Sequence, residues 1–216
     1  MQNALANSQA PRMNTLRSSA GASAIAATPL PPWIVSLLML TFFASVTQAQ
    51  SPSTAQAPEP AKALIKKAVK ASESSGKSIC VIFHASWCGW CKRLESALDA
   101  PEVKPLMEKH FITVRLDVLE QPAKKSALEN AGAEPLLKDL GGEKSGLPFY
   151  AFLDAKEKKL ADSNVMQGNS NIGYPGTAEE IAAFVKVLRT AAPKMTDAEA
   201  DTISSYFKAN APKPSH

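Results

Sequence analysis

The stretch Val81-Ile82-Phe83-His84-Ala85-Ser86-Trp87-Cys88-Gly89-Trp90-Cys91-Lys92 decides the reading of this chain. Its first part continues Ile79-Cys80 into a short, β-rich apolar run, ICVIFH over 79–84. A run this apolar with no alternation predicts a central strand covered on both faces. A helix is expected to follow from about Gly89 to Leu98. Cys88 then stands at the strand-to-helix junction, where unpaired backbone N–H groups and the positive end of the helix dipole meet. A thiolate there is stabilised, so its pKa is expected below the free value of about 8.5. Cys91 lies one turn further on the same face. The pair has the spacing for exchange: Cys88 attacks a disulfide, and Cys91 resolves the mixed disulfide.

Other chemistry for a CxxC pair finds less support. A zinc site needs two further ligands. The only other cysteine is Cys80, and His84, His110 and His216 are not paired at ligand spacing. A c-type haem needs histidine directly after the second cysteine, and Lys92 holds that place. An inert structural disulfide stays open, although closing so short a loop stabilises little. No cofactor is expected.

Outward from the motif, the chain alternates helices and strands. Residues 61–72 put Leu64, Ile65, Ala68 and Val69 on one helical face, closed by Gly76-Lys77. Asp99 is expected to cap a second helix after the motif, with Ala100 or Pro101 in its first turn and Val103, Leu106 and Met107 inward. Phe111 to Val118 reads as a strand. Over 119–146, Pro122, Gly132, Pro135 and Gly141-Gly142 interrupt two short helical patterns, the second with Leu136, Leu137 and Leu140. This predicts a helical insert, and Gly141-Gly142 lacks the strand–helix context of a phosphate loop. Strands follow at 149–153 and near 158–165, joined by a turn at 154–157. Thr177–Glu180 and Thr196–Glu199 are capping boxes, each opening a helix: one with Ile181, Phe184, Val185 and Leu188, one with Ala200, Ile203 and Phe207. The tail from Ala211 reads as disordered. The fold class is therefore α/β, a central mixed sheet flanked by helices, with an extra C-terminal helix that packs or meets a partner.

The first residues carry an address. Trp33 to Val46, WIVSLLMLTFFASV, falls short of the roughly 20 residues of a spanning helix. Arg12 and Arg17 precede it, and Thr47-Gln48-Ala49 follows with small residues for cleavage. Residues 1–49 read as a signal peptide or an N-terminal anchor, and the Pro/Ser/Ala-rich residues 50–60 as a linker. Either way the folded part crosses a membrane to the periplasm or outside, tethered or free. Loss of the two arginines takes the net charge from +4 to +2. The basic clusters are short and mixed with acids, so no nucleic-acid partner is expected. Three cysteines do not make a disulfide-stapled framework.

The run Val81–Lys92 resembles the active-site strand and motif of the thioredoxin superfamily, most of all its exported bacterial members with Trp-Cys-x-x-Cys centres. Leu147-Pro148 before Phe149–Leu153 resembles that family's cis-proline element. The resemblance covers 61–192, leaving 193–216 as the C-terminal helix and tail. It implies catalytic roles for Cys88 and Cys91, a redox-active disulfide between them, and a substrate surface of Trp87, Gly89, Trp90, Leu147 and Pro148. Pro148 would be cis, the Leu147 backbone would pair with a substrate strand, and Trp87 would flank the thiolate unless it is a plain core aromatic. It also implies exported protein substrates with disulfides and a membrane or periplasmic redox partner. The sequence departs from the family in two places. Ile82 stands where many members carry a buried acid, so proton shuttling falls to another group or to water, with Glu95, one turn past Cys91, a weak candidate. The dipeptide Gly89-Trp90, which tunes potential, is not Gly-Pro. Reductase or interchange activity is the expectation. A binding module, or a CxxC holding a soft metal such as copper, is the alternative. Cys80 is read as a buried small hydrophobe or a third redox cysteine, and His84 as a hydrogen-bonded structural residue or a neighbour of the active site.

Overall fold

The computed structural model describes residues 57–213. The expected leader and its cleavage point lie outside the described residues, as does most of the linker. Helix α1 (Ala61–Ser75) leads into strand β1 (Ser78–His84), helices α2 (Gly89–Leu98) and α3 (Lys104–His110), and strand β2 (Phe111–Asp117). Helices α4 (Pro122–Leu128) and α5 (Ala133–Asp139) form the insert before strands β3 (Phe149–Leu153) and β4 (Lys159–Asp162). Helices α6 (Ala178–Ala191) and α7 (Asp197–Ala209) follow. No helix of the described residues is long and apolar enough to cross a membrane.

The sheet order is β2-β1-β3-β4. β1 pairs parallel with β2 and antiparallel with β3, and β3 pairs antiparallel with β4. The expected mixed sheet is thus present, with the motif strand at its centre. Its side chains alternate between two cores, as strand geometry requires. Cys80 and Ile82 join Tyr150, Phe152 and the inward faces of α2, α6 and α7. Ile79, Val81 and Phe83 face the other way, onto Ala61, Ile65 and Ala68 of α1 and Leu137 of α5. Every residue from Ile79 to Phe83 is buried. This explains the unbroken apolar run: a central strand covered on both faces has no polar side.

Local signals account for most boundaries. α1 ends where Gly76 enters the left-handed region at φ 69°, which glycine adopts without a Cβ penalty. Both capping boxes form, Thr177 with Glu180 and Thr196 with Glu199. The two short patterns of the insert are α4 and α5, with Leu137 and Leu140 buried. Gly142 closes α5 so tightly that a Cβ there would sit 2.6 Å from Phe149 Cδ1.

The structure corrects three expectations. Asp99 does not cap α3. Its backbone N–H closes α2 on Glu95 and Ala97, and its carboxylate meets Arg115 Nη2 at 3.0 Å. Ala100 and Pro101 lie in a turn, and α3 begins at Lys104. β4 ends at Asp162 rather than 165: Ser163 still donates its N–H to the Tyr150 carbonyl at 2.9 Å, but the return bond from the Tyr150 N–H goes to Ser163 Oγ at 3.1 Å. The chain past Ala211 is not free: Pro212 packs on Gly176, where a Cβ would lie 3.0 Å from its Cδ. Residues 214–216 lie outside the described residues.

Candidate active site

The cysteine pair sits where β1 hands over to α2. Cys88 is the N-cap of α2, with extended backbone at φ −82° and ψ 105°. Its Sγ accepts the Cys91 N–H at 3.1 Å, so one of the orphan donors of the helix start points at the sulfur. The two sulfurs are bonded, 2.08 Å apart. Both cysteines are nearly buried, at 4% and 1% exposure. Ala85 and the side chain of Leu147 pack against them. The Leu147–Pro148 peptide bond is cis.

The flanking tryptophans are exposed and turn to different partners. Trp87 is 53% exposed, and its Nε1 donates to the Leu119 carbonyl at 2.9 Å. It is therefore not a core aromatic. Trp90 is 52% exposed and stacks on Tyr174, with ring centres 5.9 Å apart. Gly89, the first residue of α2 and flanked in sequence by Cys88 and Trp90, is exposed, with open space where a Cβ would stand. Seven residues named from the sequence, Trp87, Cys88, Gly89, Trp90, Cys91, Leu147 and Pro148, thus lie in two adjoining segments at one end of the sheet.

Sequence reasoning missed the second ring of this site. The loop after β2 returns to the motif through Glu120, whose carboxylate accepts both the backbone N–H and the hydroxyl of Ser86. Burial pushes this carboxyl up, but the two Ser86 bonds outweigh it and hold the group below its ordinary range. Leu119, just before it, has φ 54° and is exposed. The only hint in the sequence was an acid placed directly after a strand. Tyr174 and Arg93 were missed as well. The Tyr174 hydroxyl and Arg93 Nη2 both donate to the Asn210 carbonyl at the end of α7, at 3.1 and 2.9 Å. The Arg93 guanidinium lies 5.0 Å from the Tyr174 ring centre.

His84 ends β1 beneath the motif. Its Nδ1 lies 2.9 Å from Glu95 Oε1, and its Nε2 3.7 Å from Asp117 Oδ2. It is therefore partnered by carboxylates rather than turned to the sulfurs. The Asp117 carboxyl is pushed up by burial and by Glu120, Glu95 and Glu129, against the pull of His84. Cys80 lies in the core, and burial pushes its thiol up to about 12 against the pull of Arg115.

Three solved structures resemble the chain. A disulphide isomerase from Xylella fastidiosa Temecula1 is 21% identical over 69% of this chain and 90% of that one, with a TM-score of 0.42. DsbH oxidoreductase is 23% identical over 70% of this chain and 97% of that one, TM-score 0.42. The oxidised C-terminal domain of DsbD from Neisseria meningitidis is 25% identical over 47% of this chain and 80% of that one, TM-score 0.33. Among curated proteins none matches the chain. The family model described as thioredoxin-like matches residues 61–155, which hold β1, the cysteine pair, the insert and Pro148. Over these residues the chain carries a thioredoxin-like domain.

Proposed function

We propose that the protein is a thiol–disulfide oxidoreductase acting on disulfides of exported proteins, with Cys88 as nucleophile and Cys91 as resolving cysteine. One observation carries this reading: Cys88 Sγ caps α2 and receives the Cys91 N–H at 3.1 Å while lying within bonding reach of the Cys91 sulfur. A group so placed is favoured as a thiolate, because the charged form gains the hydrogen bond and the dipole.

The step balances as follows. The Cys88 thiolate attacks one sulfur of a substrate disulfide. The S–S bond breaks, a mixed disulfide forms, and the leaving substrate thiolate takes a proton from solvent. Cys91 then loses its proton and attacks Cys88 Sγ, forming the Cys88–Cys91 disulfide and releasing the second substrate thiol. Two electrons pass from the protein's dithiol to the substrate. A dithiol donor at the membrane or in the same compartment restores the pair. Run backwards, the same atoms oxidise or isomerise a substrate. Leu147, packed against the cysteines, offers its backbone to an extended substrate, and Trp87, Gly89 and Trp90 form the rim. Pro148, buried and joined to Leu147 by a cis bond, completes this surface. The apolar segment before Ala49 supports the export part of this reading, and with it a periplasmic or secreted location.

The test is trapping. The Cys91→Ala variant should hold a peptide disulfide as a mixed disulfide on Cys88, visible by mass and released by dithiothreitol. Cys88→Ala should form none. Equal trapping by the two variants would remove the assigned roles, and trapping by neither would leave a scaffold or a soft-metal site in their place.

A further inference from the structure

The site continues past the cysteines into a groove of 780 Å³. It begins at Trp90 and Leu147, the residues that border the pair, and runs between the Arg93–Tyr174 shelf and the chain after α7. Its floor is apolar and aromatic. Its charges are unequal. Arg93 and Lys213 bring cations, and Glu180 is the acid on its wall. The Glu180 carboxylate is already occupied: Oε2 accepts the N–H groups of Gly176 and Thr177 at 2.9 Å each, inside the capping box of α6. Its charge therefore faces the start of its own helix, where the dipole and two donors neutralise it. Arg93 is different. One Nη2 bond to the Asn210 carbonyl and the Tyr174 ring fix its orientation, and neither neutralises its charge. No carboxylate pairs with Arg93 or Lys213 among the described residues.

Beyond Trp87 the acids are already engaged: Glu120 accepts both Ser86 donors, Glu129 lies 3.4 Å from Lys125 Nζ, and Asp117 lies 3.7 Å from His84 Nε2. The groove thus borders the cysteines with cations that no carboxylate among the described residues pairs. An extended chain laid across them meets attraction in the groove only if its side chains there are acidic.

We infer that the groove selects an extended peptide segment bearing acidic side chains on one side of its cysteine, with Arg93 and Lys213 as the specificity-determining charges. The inference rests on the function proposed above and names its substrate class. α7 serves it indirectly. The Asn210 carbonyl fastens both Arg93 and Tyr174, so the shelf is set before a peptide arrives and little side-chain freedom is lost on binding. Tyr174 is thereby a positioning residue.

The experiment separates binding from exchange. A short cysteine-free peptide with two glutamates, and its counterpart with two lysines, are titrated into the full chain and followed by calorimetry. The glutamate peptide should bind roughly tenfold tighter, the scale of two partly exposed ion pairs. The gap should narrow as salt rises. Arg93→Lys should keep the preference and Arg93→Glu should erase or invert it. If Arg93→Glu fails to fold, Lys213→Glu should weaken it. Equal binding, tighter binding of the lysine peptide, or no binding of either overturns the inference. Because neither peptide contains sulfur, these outcomes do not depend on the cysteines. Loss of mixed-disulfide trapping with the glutamate preference intact would instead count against the proposed exchange reaction alone.

Discussion

Ser86 gives both its backbone N–H and its hydroxyl to the Glu120 carboxylate, the latter at 2.8 Å, and so ties the turn before Cys88 to the loop after β2. Glu120 is 6% exposed, so the bond is not shared with bulk water. Removing the acceptor leaves a Ser86 donor without a partner. Glu120→Ala should therefore cost about 1–3 kcal/mol by chemical denaturation at neutral pH. Its carboxyl is held below its ordinary range, so the contribution is full above the unfolded value of about 4.3 and fades as pH falls below it. A variant as stable as the parent at pH 7 would contradict the tie.

Cys80 should be silent in the folded protein. Its thiol is buried at 2% exposure and pushed up to about 12, so almost no thiolate exists at neutral pH. After reduction and removal of reductant, a thiol reagent should leave Cys80 unmodified in native protein and modify it once the chain is unfolded. Three groups reacting at one rate without denaturant would show that the core opens to Cys80.

Glu199 makes stability pH-dependent in acid. Its side chain accepts from Lys109 Nζ and from the Thr196 N–H, and these bonds with that to His110 hold the carboxyl at about 2 against an ordinary 4.5. A depressed carboxyl stabilises above its unfolded value and loses that contribution as pH falls to its folded one. The melting temperature of the parent should thus fall between about pH 4.5 and 2 more steeply than that of Glu199→Gln. The variant should be the less stable at pH 7, and the two should converge near pH 2. Parallel curves would remove the assignment.

The extra helix is part of the core. Phe207 is fully buried, with its ring 5.1 Å from Phe184 and 5.6 Å from Tyr174. Phe207→Ala should cost about 3–5 kcal/mol. A cost under about 1 kcal/mol would mean that α7 is only loosely attached.

Much of this arrangement was legible along the chain. The apolar run at 79–84 marked a strand covered on both faces, and the threonine–glutamate spacings at 177 and 196 marked two helix starts. These signals are local: side-chain polarity and a cap act within a few residues of themselves. Asp99 shows the limit of local reading. Its capping potential was real, but Arg115, sixteen residues away, holds its carboxylate. Glu120 and the Arg93–Tyr174–Asn210 cluster failed for the same reason. Their partners are 34, 117 and 36 residues distant, and nothing in a single sequence announces such pairings. The cysteine motif was readable because its chemistry is contained within four residues and one helix end.

The most direct test of the central claim is the redox titration of the Cys88–Cys91 pair. Equilibration in dithiothreitol or glutathione buffers, followed by tryptophan fluorescence and by thiol trapping, should give one reversible two-electron transition involving two thiols. A midpoint near the −270 mV of thioredoxin supports a reductase, and one near the −120 mV of a strong oxidant supports disulfide formation. No reversible transition, or one that persists in Cys88→Ala, would contradict the claim that this pair is the working centre.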